Sequence, residues 1–356
     1  MYNNVILIPA LDPDESFVRY VGQLREAGCC RIVVVDDGSS TEKKHIFDTL
    51  GEQYGCDIIT HAQNLGKGRS LKDGFLHIEK KYADYDDYKG VITADSDGQH
   101  TVSDVIKLSE RLDSATDPTL FLGCRDFDLD IVPQKSKKGN KITSGVFKLL
   151  YGSYLSDTQT GLRAISRELA LEYAHLKGER FEFETNMLIH ATREHHSIIE
   201  VPIETVYIDN NSESHFRPVV DSVKIYKLLL AGVFKFTLSS ILSTLIDQGL
   251  ANVFFYLVFG GTFAFAAKAI ARVVSATFNF LVNRNMVFKV KKKGDKQWLR
   301  YAVLVVCQLL VSSTAVWAIT KMFSEIDWAF TVVSIAVDAV LFFASYTVQR
   351  KWVFRN

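Results

Sequence analysis

No sign of charge dominates this 356-residue chain: 41 Lys and Arg balance 41 Asp and Glu, so the electrostatic footprint of a nucleic-acid binder is missing. The five cysteines, Cys29, Cys30, Cys56, Cys124 and Cys307, have no paired metal-ligand spacing, and adjacent Cys29-Cys30 is expected in helix-end packing in a reducing compartment. His195-His196, with Glu194 and Glu200 nearby, lack metal spacing too and are expected at the surface. No basic segment precedes the short N-terminal apolar run, so no cleavable signal is expected, and the first transmembrane helix is expected to direct insertion. Neither the P-loop spacing nor the full dinucleotide fingerprint occurs, which argues against a kinase-like NTPase and an oxidoreductase.

Composition divides what is present. Residues 1–230 mix charged and apolar positions as a soluble α/β domain does, whereas 231–356 hold four apolar segments, near Phe236–Phe259, Thr262–Val282, Tyr301–Phe323 and Trp328–Val348. Each is long enough for a helix to cross a hydrocarbon core, which takes about 20 residues. Asp247 and Asp338 interrupt them and mark either a polar pathway or interfacial anchoring. Lys289–Lys296 and Arg350-Lys351 are basic, while Gly260-Gly261 and Ser324–Asp327 carry no Lys or Arg. The positive-inside bias therefore puts the soluble domain, the basic connector and the C-terminus in the cytoplasm. The segment 278–288 also repeats as 344–354 at a constant offset of 66, suggesting two related helical hairpins.

Within the first half, Asn4–Pro9, Arg31–Val35 and Gly90–Ala94 read as buried strands, and polar residues follow each. Asp95-Ser96-Asp97-Gly98-Gln99-His100 sets two carboxylates at i and i+2 after a strand end, where Asp95, Asp97 and the Gln99 carbonyl can hold one hard divalent cation. Such a cation neutralises a diphosphate leaving group. Asp36-Asp37-Gly38-Ser39 puts carboxylates that can accept hydrogen bonds at a strand end, and equally offers an N-cap for a helix over 42–50. Asn64–Ser70 opens a helix running to about Lys81, with glycines that admit a phosphate to its N-terminus. Arg125, Lys135, Lys137 and Lys138 approach Gly139-Asn140 as a phosphate-binding loop requires, or form a solvated basic loop. Val146–Tyr151 reads as a segment along the membrane surface.

Ile8-Pro9-Ala10, Asp36–Ser39, Asn64–Gly68, Asp95–His100, Asp157–Arg163 and Ser214–Pro218 occur in an order that resembles family 2 glycosyltransferases of GT-A fold. Within them the likeness is to the dolichol-phosphate mannose synthase-like branch that glycosylates polyprenyl phosphates, and the C-terminal hairpins resemble the GtrA-like four-helix membrane proteins. The resemblance implies a Rossmann-like, nucleotide-binding α/β domain followed by an all-α transmembrane domain. It implies nucleotide-sugar contacts from Pro9, Ala10, Glu15, Asp36, Asp37, Lys67, Asp95 and Ser96, and Mg2+ or Mn2+ on Asp95, Asp97 and Gln99. Arg125, Lys135, Ser136 and Arg217 are implied at the acceptor phosphate, with Asp157, Asp97 and Arg163 catalytic. Arg180–Glu184 are implied beside the donor sugar and the acceptor. His100 either orients a phosphate or packs structurally. The chain departs from the family's usual aromatic and Asn-Glu pair by having Leu11-Asp12-Pro13-Asp14-Glu15.

The expectation is an inverting transfer of one sugar from a UDP- or GDP-linked donor to a polyprenyl phosphate at the cytoplasmic face of the plasma membrane. The partners are thus nucleotide sugar, lipid and membrane, with no nucleic acid; a homo-oligomer stays open. Two alternatives stand beside it: a lipid-linked sugar translocator or assembly module built on the bundle, and a polymerising glycan synthase. The synthases resemble one another in a Gln-x-x-Arg-Trp motif, whereas Gln349-Arg350-Lys351-Trp352 has a different spacing.

Overall fold

The computed structural model describes residues 2–204, 218–288, 290, 294, 296–322 and 329–354. It separates into two units, Met1–Leu229 and Leu230–Asn356.

In the first unit the order is β1 (Tyr2–Ala10), α1 (Glu15–Glu26), β2 (Cys29–Asp36), α2 (Lys44–Glu52), β3 (Asp57–Thr60), α3 (Lys67–Tyr82), β4 (Gly90–Thr93), α4 (Val102–Asp113), β5 (Thr119–Cys124), α5 (Gln134–Tyr151), β6 (Arg163–Ser166), α6 (Arg167–Tyr173), α7 (Glu182–Glu194) and β7 (Ser197–Pro202). Among the described residues the strands form one sheet ordered β3-β2-β1-β4-β6-β5-β7. β1 and β2 are buried over nearly their whole length, as strands covered by helices on both faces must be, which is why they read as unbroken apolar runs. Ile6, Ile8, Val34 and Ile92 from the strands meet Phe17, Val21, Leu24 and Leu50 from α1 and α2 in the core. Asp14 caps α1 by accepting from Ser16 N–H (2.7 Å), and Thr101 caps α4 by accepting from Asp104 N–H (3.2 Å).

Three local expectations change. Cys29-Cys30 opens β2 instead of ending a helix, with Cys29 buried and Cys30 exposed. Asp36 does not cap α2; its Oδ1 accepts from Ser39 N–H (2.8 Å), and a short 3-10 turn, Thr41–Lys43, intervenes. Lys135–Lys138 belong to the first turns of α5 and not to a loop, and the same helix buries Phe147, Leu150 and Tyr151 while exposing Ile142 and Leu149.

The second unit contains α8 (Pro218–Asn252), which starts within the first, α9 (Ala264–Val282), α10 (Gln297–Met322) and α11 (Ala329–Val348). The apolar helices Val220–Val258 and Phe265–Val287 are long enough to cross a membrane. The internal repeat has a direct structural counterpart. Asn283–Val287 and Gln349–Val353 both end their helices in a π-helical turn, and the repeat-equivalent Asn283 and Gln349 hydrogen-bond to each other (Nδ2 to Oε1, 3.1 Å). Phe288 and Phe354, also equivalent, stack with ring centroids 5.3 Å apart. Asp247 pairs with Lys268 (2.7 Å) and Arg272 (3.4 Å), and Asp338 accepts from Ser312 (3.2 Å).

Candidate active site

Beyond the C-terminal ends of β1 and β4 the first unit opens into a cleft. Pro9, Ala10 and Leu11 continue from β1; Asp37, Asn64, Gly66, Lys67 and Ser70 line the α3 side; Asp95, Ser96 and Asp97 follow β4; Arg180 and Phe181 complete the lining. In an open α/β sheet this is where strand order changes direction and side chains from separate strands converge.

The α3 N-terminus is built by Asp37. Its Oδ1 accepts from Leu65 N–H (3.0 Å) and lies 2.8 Å from His61 Nδ1, while Oδ2 accepts from Gly66 N–H (2.8 Å). Gly66 sits at φ +103, where a Cβ would fall 2.4 Å from the Glu179 carbonyl oxygen, so only glycine lets the helix start this close to the 179–181 segment. Lys67 then projects into the cleft, 2.6 Å from Asp95 Oδ1 and 3.1 Å from Glu184 Oε1. Burial works against both charges at this pair. Lys67 and His100 nonetheless hold the Asp95 carboxyl below its ordinary range, and Asp95 with Glu184 raises the Lys67 ammonium above its own.

Asp95 is fixed from two further sides. Its backbone N–H donates to His100 Nδ1 (3.0 Å), and burial pushes the His100 imidazole down to about 4, so it stays neutral and accepts that bond. His100 is thus a buried positioning residue. Across from it, a Cβ on Gly161 would lie 2.4 Å from Asp95 Oδ2, and the Gly161 carbonyl accepts from Thr93 Oγ1 (2.8 Å). Asp97 Oδ1 accepts from Gln99 N–H (3.1 Å), which turns the Asp97 carboxylate back over the same loop.

Not every residue implied by the resemblance reaches the cleft. Arg163 is fully buried; its Nε donates to the Thr160 carbonyl (3.0 Å) and its Nη1 to the Glu184 carbonyl (2.8 Å), so it braces the backbone of the segments around Lys67 and Asp95. Burial lowers its guanidinium below the ordinary value, against the pull of Glu184 and Asp157. Asp36 is buried in an ion pair with Lys44. Glu15, at the start of α1, faces His45 (2.9 Å). Lys135 and Ser136 lie on α5. Arg217, with Ser214, His215 and Phe216, lies outside the described residues.

Asp157 and Arg125 form one unit. Arg125 Nε donates to Asp157 Oδ2 (2.7 Å) and Nη2 to Oδ1 (3.2 Å), and Gln159 N–H adds a third bond to Oδ1 (3.0 Å). Asp157 is completely buried. Arg125→Ala is therefore expected to lower unfolding free energy by about 3 kcal/mol by leaving a buried carboxylate uncompensated, and Arg125→Ala/Asp157→Ala to cost less than the two single changes summed. Thermal unfolding of the four proteins checks this; additive losses would dissolve the unit.

Leu11, Asn64 and Ser70 also line the cleft; the sequence marked Asn64–Ser70 only as a helix start open to phosphate and singled out no side chain among these three. A helical signal was present for Ser70, which lies one turn beyond Gly66 on the face Lys67 opens. The resemblance already implied Glu184 beside the donor sugar, but its pairing with Lys67 carries no sequence signal, because the two lie over a hundred residues apart in the chain.

Residues 7–173 match the family described as Glycosyl transferase family 2, and residues 235–354 match GtrA/DPMS, transmembrane domain. An uncharacterized protein of Methanocaldococcus jannaschii is 31% identical over 240 residues, covering 64% of this chain and 92% of that protein. The chain belongs to glycosyltransferase family 2. Its α/β sheet domain is of the GT-A type, and its helical unit is a GtrA-like membrane domain. The glycosyltransferase is also 27% identical to UDP-N-acetylglucosamine--dolichyl-phosphate N-acetylglucosaminyltransferase of Methanococcus voltae over 242 residues, 63% of this chain and 94% of the relative. Dolichyl-phosphate beta-glucosyltransferase of Saccharomyces cerevisiae is 31% identical over 220 residues, 56% of this chain and 63% of the relative.

Proposed function

We propose that this glycosyltransferase moves a single sugar from a UDP- or GDP-linked donor to a polyprenyl phosphate at the cytoplasmic face of the plasma membrane, with inversion at the anomeric carbon. The observation that carries the proposal is the convergence of Lys67, Asp95, Ser96 and Asp97 on one cleft, in a chain that also carries the membrane domain of polyprenyl-phosphate enzymes. The relatives named for transfer to dolichyl phosphate support the same acceptor class.

Asp95 and Asp97 form a hard oxygen donor set suited to Mg2+ or Mn2+, and Asp95 already holds a cation, the Lys67 ammonium, at 2.6 Å. Bound there, the metal ion supplies charge neutralisation to the departing diphosphate. The chain's own groups do the rest. The α3 N-terminus and Lys67 bind donor phosphate, Phe181 and Pro9–Leu11 present apolar surface to the nucleoside, and Asp37 and His100 hold the loops that carry these groups. A lipid phosphate is ionised at neutral pH, so its oxygen attacks the anomeric carbon without a strong general base. The carbon–oxygen bond to the nucleoside diphosphate breaks as the new bond forms, and positioning supplies most of the rate. Asp157 then acts through Arg125, which it orients.

A radiolabelled screen of UDP- and GDP-sugars against undecaprenyl and dolichyl phosphate tests the reading. Chloroform-soluble label released by mild acid is expected with one donor; label confined to a growing polymer would replace the reading with a glycan synthase. Orientation has its own test. Cysteines introduced at Gly294 and Asn356, in a background without native cysteines, are expected to resist impermeant reagents in intact cells, because the basic connector and tail stay in the cytoplasm. Labelling from outside at either site would overturn the four-span layout.

The membrane unit's polar interior favours a second role beside anchoring. Asn279 donates to Ser243 (3.0 Å) and accepts from Tyr301 (2.9 Å), Asn283 donates to Gln349 (3.1 Å), and Gln349 donates to Ser345 (3.1 Å). Polar side chains in membrane spans are costly and mark pathways or helix contacts. Passage of labelled polyprenyl phosphosugar through this unit in liposomes separates the two.

A further inference from the structure

Away from the residues lining the cleft, Glu172, His190 and His196 bring three donor atoms within 4.8 Å of one another. They come from different parts of the chain: Glu172 from α6, His190 from α7, and His196 from the turn into β7. No sequence spacing announces them, because the grouping depends on α6 packing beside the end of α7.

The turn that delivers His196 is specifically shaped. His195 occupies the left-handed region at φ 61 as it ends α7, and the His196 N–H then donates to the Ala191 carbonyl (2.9 Å). This swings the His196 ring back over the helix. The Tyr173 ring supports both imidazoles, with centroids 5.9 Å from His190 and 6.2 Å from His196. Both histidines turn Nε2 toward the same carboxylate: His190 Nε2 lies 2.6 Å from Glu172 Oε1, and His196 Nε2 lies 3.6 Å from Oε2. His196 Nδ1 points instead to the Tyr173 hydroxyl at 3.5 Å.

We propose that Glu172, His190 and His196 bind a divalent transition-metal ion, zinc, at a site separate from the catalytic cleft. Two imidazole nitrogens and a carboxylate oxygen are a zinc donor set, and three protein ligands leave a fourth position for water on the exposed side of Glu172. Donors bound to one tetrahedral zinc ion at bonds of about 2.1 Å lie about 3.4 Å apart, so donor atoms within 4.8 Å of one another reach the ion by side-chain rotation. The contact from His196 Nδ1 to Tyr173 leaves Nε2 to the metal, as an outer hydrogen bond commonly does for a zinc histidine. Zinc here ties α6 to the far end of α7, the helix whose first turn carries Glu184 into the ion pair with Lys67.

The test uses metal-stripped full-length protein in detergent or nanodiscs, titrated with zinc in a constant excess of magnesium, which competes for hard carboxylate sites. One zinc per chain is expected, with a raised Tm. His190→Ala and His196→Ala are each expected to weaken zinc binding at least about tenfold, and cobalt in place of zinc to give a visible spectrum of low coordination number that the double variant lacks. Circular dichroism and melting without metal confirm that the variants fold. Should the double variant fail there, Glu172→Gln, which keeps the side-chain shape, is titrated instead and is expected to bind more weakly. Absence of zinc binding in the wild type, or equal affinity in a folded variant, overturns the site. None of the three residues lines the cleft, so this result is independent of the transferase reading.

Discussion

Asp97→Ala is expected to lower sugar transfer at least about a hundredfold, the scale on which lost preorganised charge stabilisation at a reacting group is felt. The wild-type enzyme is expected to lose activity in chelator and to regain it with magnesium or manganese. Asp97 lines the cleft one residue beyond Ser96, and its bond from Gln99 N–H shows that the turn itself orients the carboxylate. Removing the side chain takes away a donor without touching the core of β4, so folding is expected to survive. Initial rates at saturating donor and acceptor, with and without chelator, measure the effect. Full activity of Asp97→Ala in chelator would remove the metal and this carboxylate from the mechanism together.

Lys67→Met is expected to cost about a hundredfold in kcat/KM for the nucleotide sugar, because Asp95 and Glu184 then face the diphosphate with no intervening ammonium. It also moves the acid limb of activity. In the wild type burial pushes the Asp95 carboxyl up, but Lys67 and then His100 outweigh it and hold it low. A depressed carboxyl contributes stability above its unfolded pKa and loses it as pH falls through the folded value. The raised Lys67 contributes below its unfolded pKa and loses that contribution as pH rises through its folded value. The pair therefore contributes fully between the ordinary carboxylate and ammonium pKa values and is lost only in strong acid or strong base. Without Lys67 the burial effect on Asp95 is left unopposed by its main partner, so activity is expected to fall off at a higher pH than in the wild type. A pH profile of kcat/KM reads this shift. An unchanged acid limb with an unchanged donor KM would show that Lys67 serves neither Asp95 nor the donor.

Local pattern made much of the chain legible. β1, β2 and β4 are runs of apolar residues because both faces of the sheet are covered, and an apolar run ending in Asp95-Ser96-Asp97 marks the strand end and the carboxylates in one glance. The glycines mark the opening of α3 at Lys67, and the repeat at offset 66 points to two related hairpins, whose matching ends the structure shows to be π-helical turns. Reading failed where a side chain's role depends on a distant neighbour. Asp36 and Asp37 are adjacent and chemically identical, yet one is tied to Lys44 and the other holds the start of α3.

An α/β domain with paired aspartates at a strand end, followed by apolar helices of membrane-spanning length, can be read from the residues in order, since strand burial, helix length and charge placement are one-dimensional properties of the chain. That β6 runs antiparallel between β4 and β5 emerges from the folded sheet alone, because alternation and burial read the same in either strand direction. The fold likewise buries Arg163 against the Thr160 and Glu184 carbonyls and pairs Arg125 with Asp157. Folding brought Glu172, His190 and His196 to one point. Each of these is a contact between segments far apart in the chain, and side-chain chemistry at such a contact is set by what packs against it.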